Sequence, residues 1–361
     1  MPVHPFYPTV EELLSPDVLG TLTGSTIVGA NTLPFDTVDG RSGGALLAVE
    51  TNDGTGPRFV LKRISWERDM TMRVTNDQAG RAVTIWRDGL LDRLPRQITP
   101  GLVGCAQDGD GWAILLEDFR GSMLPPDEHR LTAAENDTVL GAMAAMHAAY
   151  WEEPFTATET LGLCTTRTRY ECIFPPAMIR ERNAGLPLVP YILEGWDLFQ
   201  EIVDRDVADL VQRLHLDVGP LCAALEMYPH TLLHGDWHHG NLGIDVRSDS
   251  RVVLLDWTLV SLGPPATDLA EYVIVGVMRL PESKEDTIER YRHLLSLQLG
   301  DRFDDSWWIP QLELALLGEF LRLGFDKAQT AVHGAGEAIQ QRERAEIAWW
   351  CDHARRATHW L

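Results

Sequence analysis

Positive charge is scarce in this chain. Lys and Arg number 31 against 53 Asp and Glu, a formal net charge of −22 over 361 residues. Proteins that grip phosphodiester backbones rest on a basic patch, so a nucleic-acid partner is not expected. Cysteine is scarce too: Cys105, Cys164, Cys172, Cys222 and Cys351. An odd number without a C-x-x-C pair suggests neither a disulfide framework nor a zinc ribbon. No uninterrupted apolar run reaches the length of a membrane span. The N-terminal Met1-Pro2-Val3-His4-Pro5-Phe6 lacks the basic region of a signal peptide. The expectation is a soluble, cytoplasmic protein with no membrane partner, its oligomeric state open. With 45% hydrophobic residues the chain is globular, and its length suffices for two domains with full cores. The excess acid is compatible with a cationic substrate, but most of it reads as solvated surface.

Against this background one stretch stands out. Leu233-His234-Gly235-Asp236-Trp237-His238-His239-Gly240-Asn241-Leu242 is followed by Val252-Val253-Leu254-Leu255-Asp256-Trp257. A carboxylate, an amide and a second carboxylate thus sit on short loops between apolar runs. Phosphoryl transfer needs little covalent help from protein. It needs a carboxylate to orient and deprotonate the acceptor hydroxyl, and oxygen ligands to hold Mg²⁺ against the phosphates. Asp236 fits the first role; Asn241 and Asp256 fit the second. His234 and His238, four apart, offer a weaker alternative, a zinc-dependent hydrolase. That motif requires a helix and a Glu after the first His, and Gly235 stands there.

The order H-G-D-x-x-x-x-N, then an apolar strand ending in D-W, resembles the aminoglycoside phosphotransferase and choline kinase group, small-molecule relatives of the protein kinases. Gly235 and Trp257 stand where protein kinases carry the Arg of H-R-D and the Phe of D-F-G. The resemblance implies an α+β, bilobal protein-kinase-like fold. A small N-terminal nucleotide-binding lobe with an antiparallel sheet would span 1–118. A larger, mainly helical catalytic and substrate-binding lobe would span 119–361. It also implies ATP, with GTP open, as phosphoryl donor, Mg²⁺ as cofactor, and the hydroxyl of a small molecule as acceptor.

The hydropathy pattern agrees. Ala45–Val49, a turn-rich 52–57 and Arg58–Ile64 read as a hairpin, and Trp112–Asp118 as another strand. Thr231–Leu233, Leu242–Ile244 and Val252–Leu255 read as short strands around the motif. Leu140, Met143, Ala144 and His147 share one helical face, and 306–324 and 335–360 read as helices. By the resemblance, Lys62 is the strand lysine on the nucleotide phosphates. Arg63 points to the other face, toward solvent. Gly40-Arg41-Ser42-Gly43-Gly44, one hairpin earlier, is the candidate phosphate-covering loop, with Ser42, Gly43 and Gly44 at its end. Leu116-Glu117-Asp118-Phe119 resembles the segment whose backbone binds adenine, which places Glu117 and Phe119 beside the base.

One position departs from the pattern. The N-lobe helical Glu that pairs with the lysine is expected near Ala82, and alanine cannot pair. Glu67, Asp69, Asp77 and Gln78 are the substitutes in reach. The departure motivates a second reading, a nucleotide-binding regulatory protein with little or no transfer activity. Asp268, in Pro265-Ala266-Thr267-Asp268-Leu269-Ala270, reads as a brace for the catalytic loop. On the acceptor side the pattern thins out. Trp151, Trp196, Trp307, Trp308, Trp349, Trp350 and Trp360 read first as core or interface residues. Asp304, Asp305, Glu313 and Glu319 read as a solvated helix face before they read as amine ligands.

Overall fold

The computed structural model of the chain describes residues 3–35, 43–125, 130–152, 161–246 and 251–361. Its packing separates two compact units. The first comprises Met1–Pro126, Phe155–Leu163 and His239–Thr258, the second Asp127–Pro154, Cys164–His238 and Leu259–Leu361.

The first unit is built on a six-stranded sheet. Its strands are β1 (Phe6–Tyr7), β2 (Ala30–Pro34), β3 (Ala45–Thr51), β4 (Arg58–Ile64), β6 (Leu102–Asp108) and β7 (Gly111–Glu117), in the order β1-β6-β7-β4-β3-β2. The expected hairpin is β3–β4, in antiparallel register with Leu47 opposite Leu61. The sheet is not wholly antiparallel, because β1 lies parallel to β6. Phe59 and Leu61 alternate onto one face and pack with Val49, Ala113 and Leu115 against Leu13 and Leu19 of the N-terminal helices. Arg63 shares that face and ends it in an ion pair with Asp108.

A second sheet in this unit runs β5 (Ile98–Thr99), β10 (Arg251–Leu254), β9 (Leu242–Asp245). β10 is parallel to β5 and antiparallel to β9. Backbone bonds from Leu124 N–H to the Leu242 carbonyl (2.9 Å) and from Ile244 N–H to the Ser122 carbonyl (2.7 Å) extend the same sheet. The strands around the Asn241 and Asp256 motif thus pack with the N-terminal residues rather than with the helices.

The second unit is helical. Ala133–Ala149 opens on a capping box between Thr132 and Glu135 and ends at Tyr150, with Leu140, Met143, Ala144 and His147 all buried. Leu188–Ile202, Ala266–Gly276, Lys284–Leu299, Asp305–His333 and Glu337–Ala357 are further helices. Asp305–His333 is buried on nearly every side between Gln311 and Leu321, its polar Gln311, Glu313 and Glu319 included. A two-stranded ladder of β8 (Thr231–Leu233) and β11 (Ser261–Gly263) completes the unit. Trp196 packs edge-on against Phe199, and Trp350 stacks on Phe320, so these tryptophans belong to the core. No helix among the described residues is long and apolar enough to cross a membrane.

Candidate active site

In the first unit, Lys62 and Asp256 meet. Lys62 comes from the middle of β4, and its Nζ donates to Asp256 Oδ2 at 2.7 Å. Asp256 follows β10 with φ 63°, a left-handed conformation that a side chain other than glycine adopts rarely and at a cost. Its other carboxylate oxygen accepts from the Thr258 hydroxyl at 2.9 Å. The β9–β10 register sets Leu242 opposite Leu254. One residue further, Leu255 N–H donates to the Asn241 carbonyl at 2.9 Å. Asn241, fifteen residues earlier in the chain, is thereby hydrogen-bonded to the residue preceding Asp256. Both carry oxygen donors, the ligand type a hard divalent cation takes, so the pair fits Mg²⁺ by its chemistry.

The acid near Lys62 is Asp69. It caps the helix Met70–Val74 by accepting from Met72 N–H at 3.2 Å and is 1% exposed. Its second oxygen has no hydrogen-bond partner. Burial pushes its carboxyl upward, Lys62 draws it down, and Asp256 raises it again, so the three groups share one electrostatic neighbourhood. The other substitutes are placed elsewhere. Glu67 and Gln78 are exposed, and Asp77 caps Arg81 N–H at 2.8 Å. Ala82 is buried in the helix Arg81–Arg87.

Gly43 has φ 95°, which glycine adopts freely, and Gly44 packs over Asp69, its Cβ direction 3.6 Å from Asp69 Oδ2. Ser42, with Gly40 and Arg41, lies outside the described residues. Glu117 ends β7, its N–H donating to the Gly101 carbonyl at 2.8 Å. Phe119 is buried, its carbonyl accepting from Ser122 and Met123.

In the second unit the Asp236 loop is held by its main chain. Asp268, on the helix Ala266–Gly276, accepts from His234 N–H at 2.8 Å and Gly235 N–H at 2.9 Å. It also bonds His147 Nε2 at 3.2 Å. Burial alone would raise the Asp268 carboxyl; the His147 contact outweighs it and leaves it below the usual carboxylate range. One turn on, Glu271 accepts from Trp237 N–H at 3.2 Å. Gly235 has φ 80°, and a Cβ there would stand 2.3 Å from the Leu259 carbonyl oxygen, so only glycine fits between His234 and Asp236. Asp236 itself keeps 24% side-chain exposure and lies 3.3 Å from His238 Nε2. Burial works against its charge, but His238 first, then Arg322 and His234, hold it well below the ordinary carboxylate pKa. Residues 234–238 follow a strand and are not helical, so the geometry of a helical zinc motif is not formed.

Behind this loop lies a cluster the sequence reading missed. Arg169 bonds Glu319 at 2.5 Å and Glu271 at 2.9 Å, and Arg322 bonds Glu271 at 3.0 Å and Glu319 at 2.8 Å. Glu319 is fully buried and Glu313 nearly so, with Glu313 accepting from Trp360 Nε1 at 2.7 Å. The solvated-face expectation fails for both. Asp304 caps the long helix, and Asp305 pairs with Arg292. Trp307 packs tilted against Trp151 and edge-on to Phe303, with centroids 5.5 and 4.7 Å apart. Trp349 gives its Nε1–H to Glu285 at 2.6 Å.

Comparison with known proteins follows the same lines. Residues 127–304 match the phosphotransferase enzyme family. No curated protein sequence matches the chain. Among solved structures, a microcompartment-associated aminopropanol kinase is 16% identical with TM-score 0.52, over 91% of this chain and 93% of its own. An ethanolamine kinase from Plasmodium vivax is 12% identical with TM-score 0.50, over 89% of this chain and 82% of its own. At these identities the likeness is one of fold, and the fold is the kinase-like one the motif implied.

Proposed function

From the match of residues 127–304 to the phosphotransferase enzyme family, in a chain with the fold of the small-molecule kinases, we propose an ATP- and Mg²⁺-dependent kinase. It transfers the γ-phosphoryl group to a hydroxyl of a small molecule: an amino sugar or aminoglycoside, another sugar, or an amino alcohol. Residues 1–118 serve the nucleotide and 119–361 the catalytic loop and the acceptor. The observation that carries this reading is the Lys62–Asp256 contact at 2.7 Å, which joins the strand lysine to the D-W motif. The same contact weighs against the second reading, a nucleotide-binding protein with little or no transfer activity, since Lys62 has a carboxylate partner without a Glu at position 82.

The acceptor hydroxyl donates to the Asp236 carboxylate and attacks the γ-phosphorus in line. The bond to the β–γ bridging oxygen breaks, ADP leaves, and the hydroxyl proton passes to Asp236. A loose transition state asks little basicity of that carboxylate, which accords with its lowered pKa. Lys62 contributes a fixed positive charge to the nucleotide phosphates, and Glu117 and Phe119 flank the base. Gly43 and Gly44, with Ser42, present backbone N–H groups to the phosphates. Asn241 and Asp256 are the residues that would hold Mg²⁺, which when bound neutralises charge on the phosphate oxygens.

An ATP-consumption screen over hydroxylated metabolites and antibiotics tests the activity and finds the acceptor. Asp236→Asn should then lower turnover at least about a hundredfold at saturating substrates. Turnover equal to the parent's removes the base assignment. Asp256→Ala should abolish magnesium-dependent ATP binding in calorimetry, with Asn241→Ala the milder variant. Parent-like binding by Asp256→Ala would exclude its metal role.

A further inference from the structure

The two Arg and two Glu buried behind the catalytic loop are more than a folding element. Arg169 comes from Thr166–Glu171, Glu271 from Ala266–Gly276, and Glu319 and Arg322 from Asp305–His333. All four are at most 3% exposed. Two of them touch the loop on either side of Asp236. Arg169 Nε donates to the Gly235 carbonyl at 3.3 Å, and Glu271 accepts from Trp237 N–H at 3.2 Å. The other two touch neither peptide. Glu319 holds Arg169 and Arg322 holds Glu271, and Arg322 and Glu319 are bonded to each other at 2.8 Å. The peptides bracketing Asp236 are thus fixed through a closed ring of charge whose far side is a helix remote in sequence. Fixing a charged ring in the interior is costly unless every member is paired, and here each carboxylate meets both guanidinium groups.

We propose that Glu319 and Arg322 are positioning residues for Asp236, acting through Arg169 and Glu271 to fix the peptides before and after it. This rests on the reading of Asp236 as the acceptor base. Without the outer pair, Arg169 and Glu271 retain each other but lose the partners that orient them, and the loop gains play. A misplacement of about 1 Å at a reacting group costs on the order of a hundredfold in rate.

The test uses the full chain with Glu319→Met/Arg322→Met, which removes a neutral pair rather than stranding one charge. The comparison is Lys327→Met/Glu343→Met, a buried pair at 2.9 Å that joins the same long helix to the helix Glu337–Ala357. Hydrogen exchange of the Trp237 amide, which Glu271 accepts, should quicken about tenfold in the first and stay unchanged in the second. With Mg·ATP and the acceptor returned by the screen, or water if none is returned, kcat for ADP formation should fall tenfold or more, about what a loosened base gives. KM for Mg·ATP should not change. A folded double variant whose Trp237 amide exchanges like the parent's overturns the proposal. Should that variant not fold, Glu319→Gln carries the same two readouts. Asp236→Asn, assayed alongside, separates the failures. Parent-like turnover there defeats the functional reading. An inactive Asp236→Asn with parent-like kcat in the double variant defeats this inference alone.

Discussion

At the scale of single residues, the position the motif left empty is answered by a different part of the chain. The family pattern put an acid near Ala82, and the structure puts Asp69 into the electrostatic neighbourhood of Lys62 and Asp256. Asp69 does two things at once. One oxygen caps a helix of five residues; the other is buried and unpartnered. Holding a carboxylate in that state is costly. Asp69→Asn keeps the capping oxygen and removes the charge. We expect turnover to fall about tenfold, the size of one lost charge-assisted contact, with thermal stability equal to the parent's or higher. Parent-like turnover with unchanged stability would leave Asp69 as a cap and nothing more.

At the scale of elements, β3, β4, β7 and the helices beginning at Ala133, Asp305 and Glu337 were legible because their periodicity survives in one sequence. Leu242–Ile244 and Val252–Leu255 were legible as short apolar strands, but their antiparallel pairing was not. β1 was not legible, because two residues carry no period. Nor were the buried charges. A single Glu in a helix looks the same facing water or an arginine. The available signal was Glu319 and Arg322, opposite charges three apart inside the apolar run Ala315-Leu316-Leu317-Gly318-Glu319-Phe320-Leu321-Arg322-Leu323. Glu271, three after Asp268, carried a similar hint. Those two acids make Ala266–Gly276 the element on which the Asp236 loop hangs. Asp268→Asn leaves one acceptor where two N–H groups and His147 need a carboxylate. It should cost about 3 kcal/mol in urea unfolding, as breaking a buried charge contact does. Loss within error of the parent's stability would show that the loop is held by other means.

At the scale of the whole molecule, acidity bears on stability through buried imidazoles. His215 Nε2 lies 3.0 Å from the Leu321 carbonyl oxygen, and its ring packs on Phe174 and Trp196 at 4.2 and 4.4 Å. The carbonyl makes Nε2–H the donor. Burial lowers its pKa from 6.5 to about 4. Between those values the unfolded chain binds a proton that the folded chain refuses. The contribution is therefore complete above pH 6.5 and is lost as pH falls toward 4, by about 3 kcal/mol in all. His215→Gln can keep the donor and remove the titration. Thermal melts across this range should slope less steeply for the variant, and parallel slopes would assign the acid sensitivity elsewhere. The first unit also has a consequence for recombination. It takes back residues 239–258 from far along the chain, and in its second sheet the named neighbour of β5 is β10. A crossover at residue 126 would therefore give the N-terminal block one parent and its strands β9 and β10 another. The Ser122, Leu124, Leu242 and Ile244 ladder would then join two ancestries across every rung. Chimeras that respect this architecture inherit 239–258 together with the N-terminus, as a single hereditary unit written in two places.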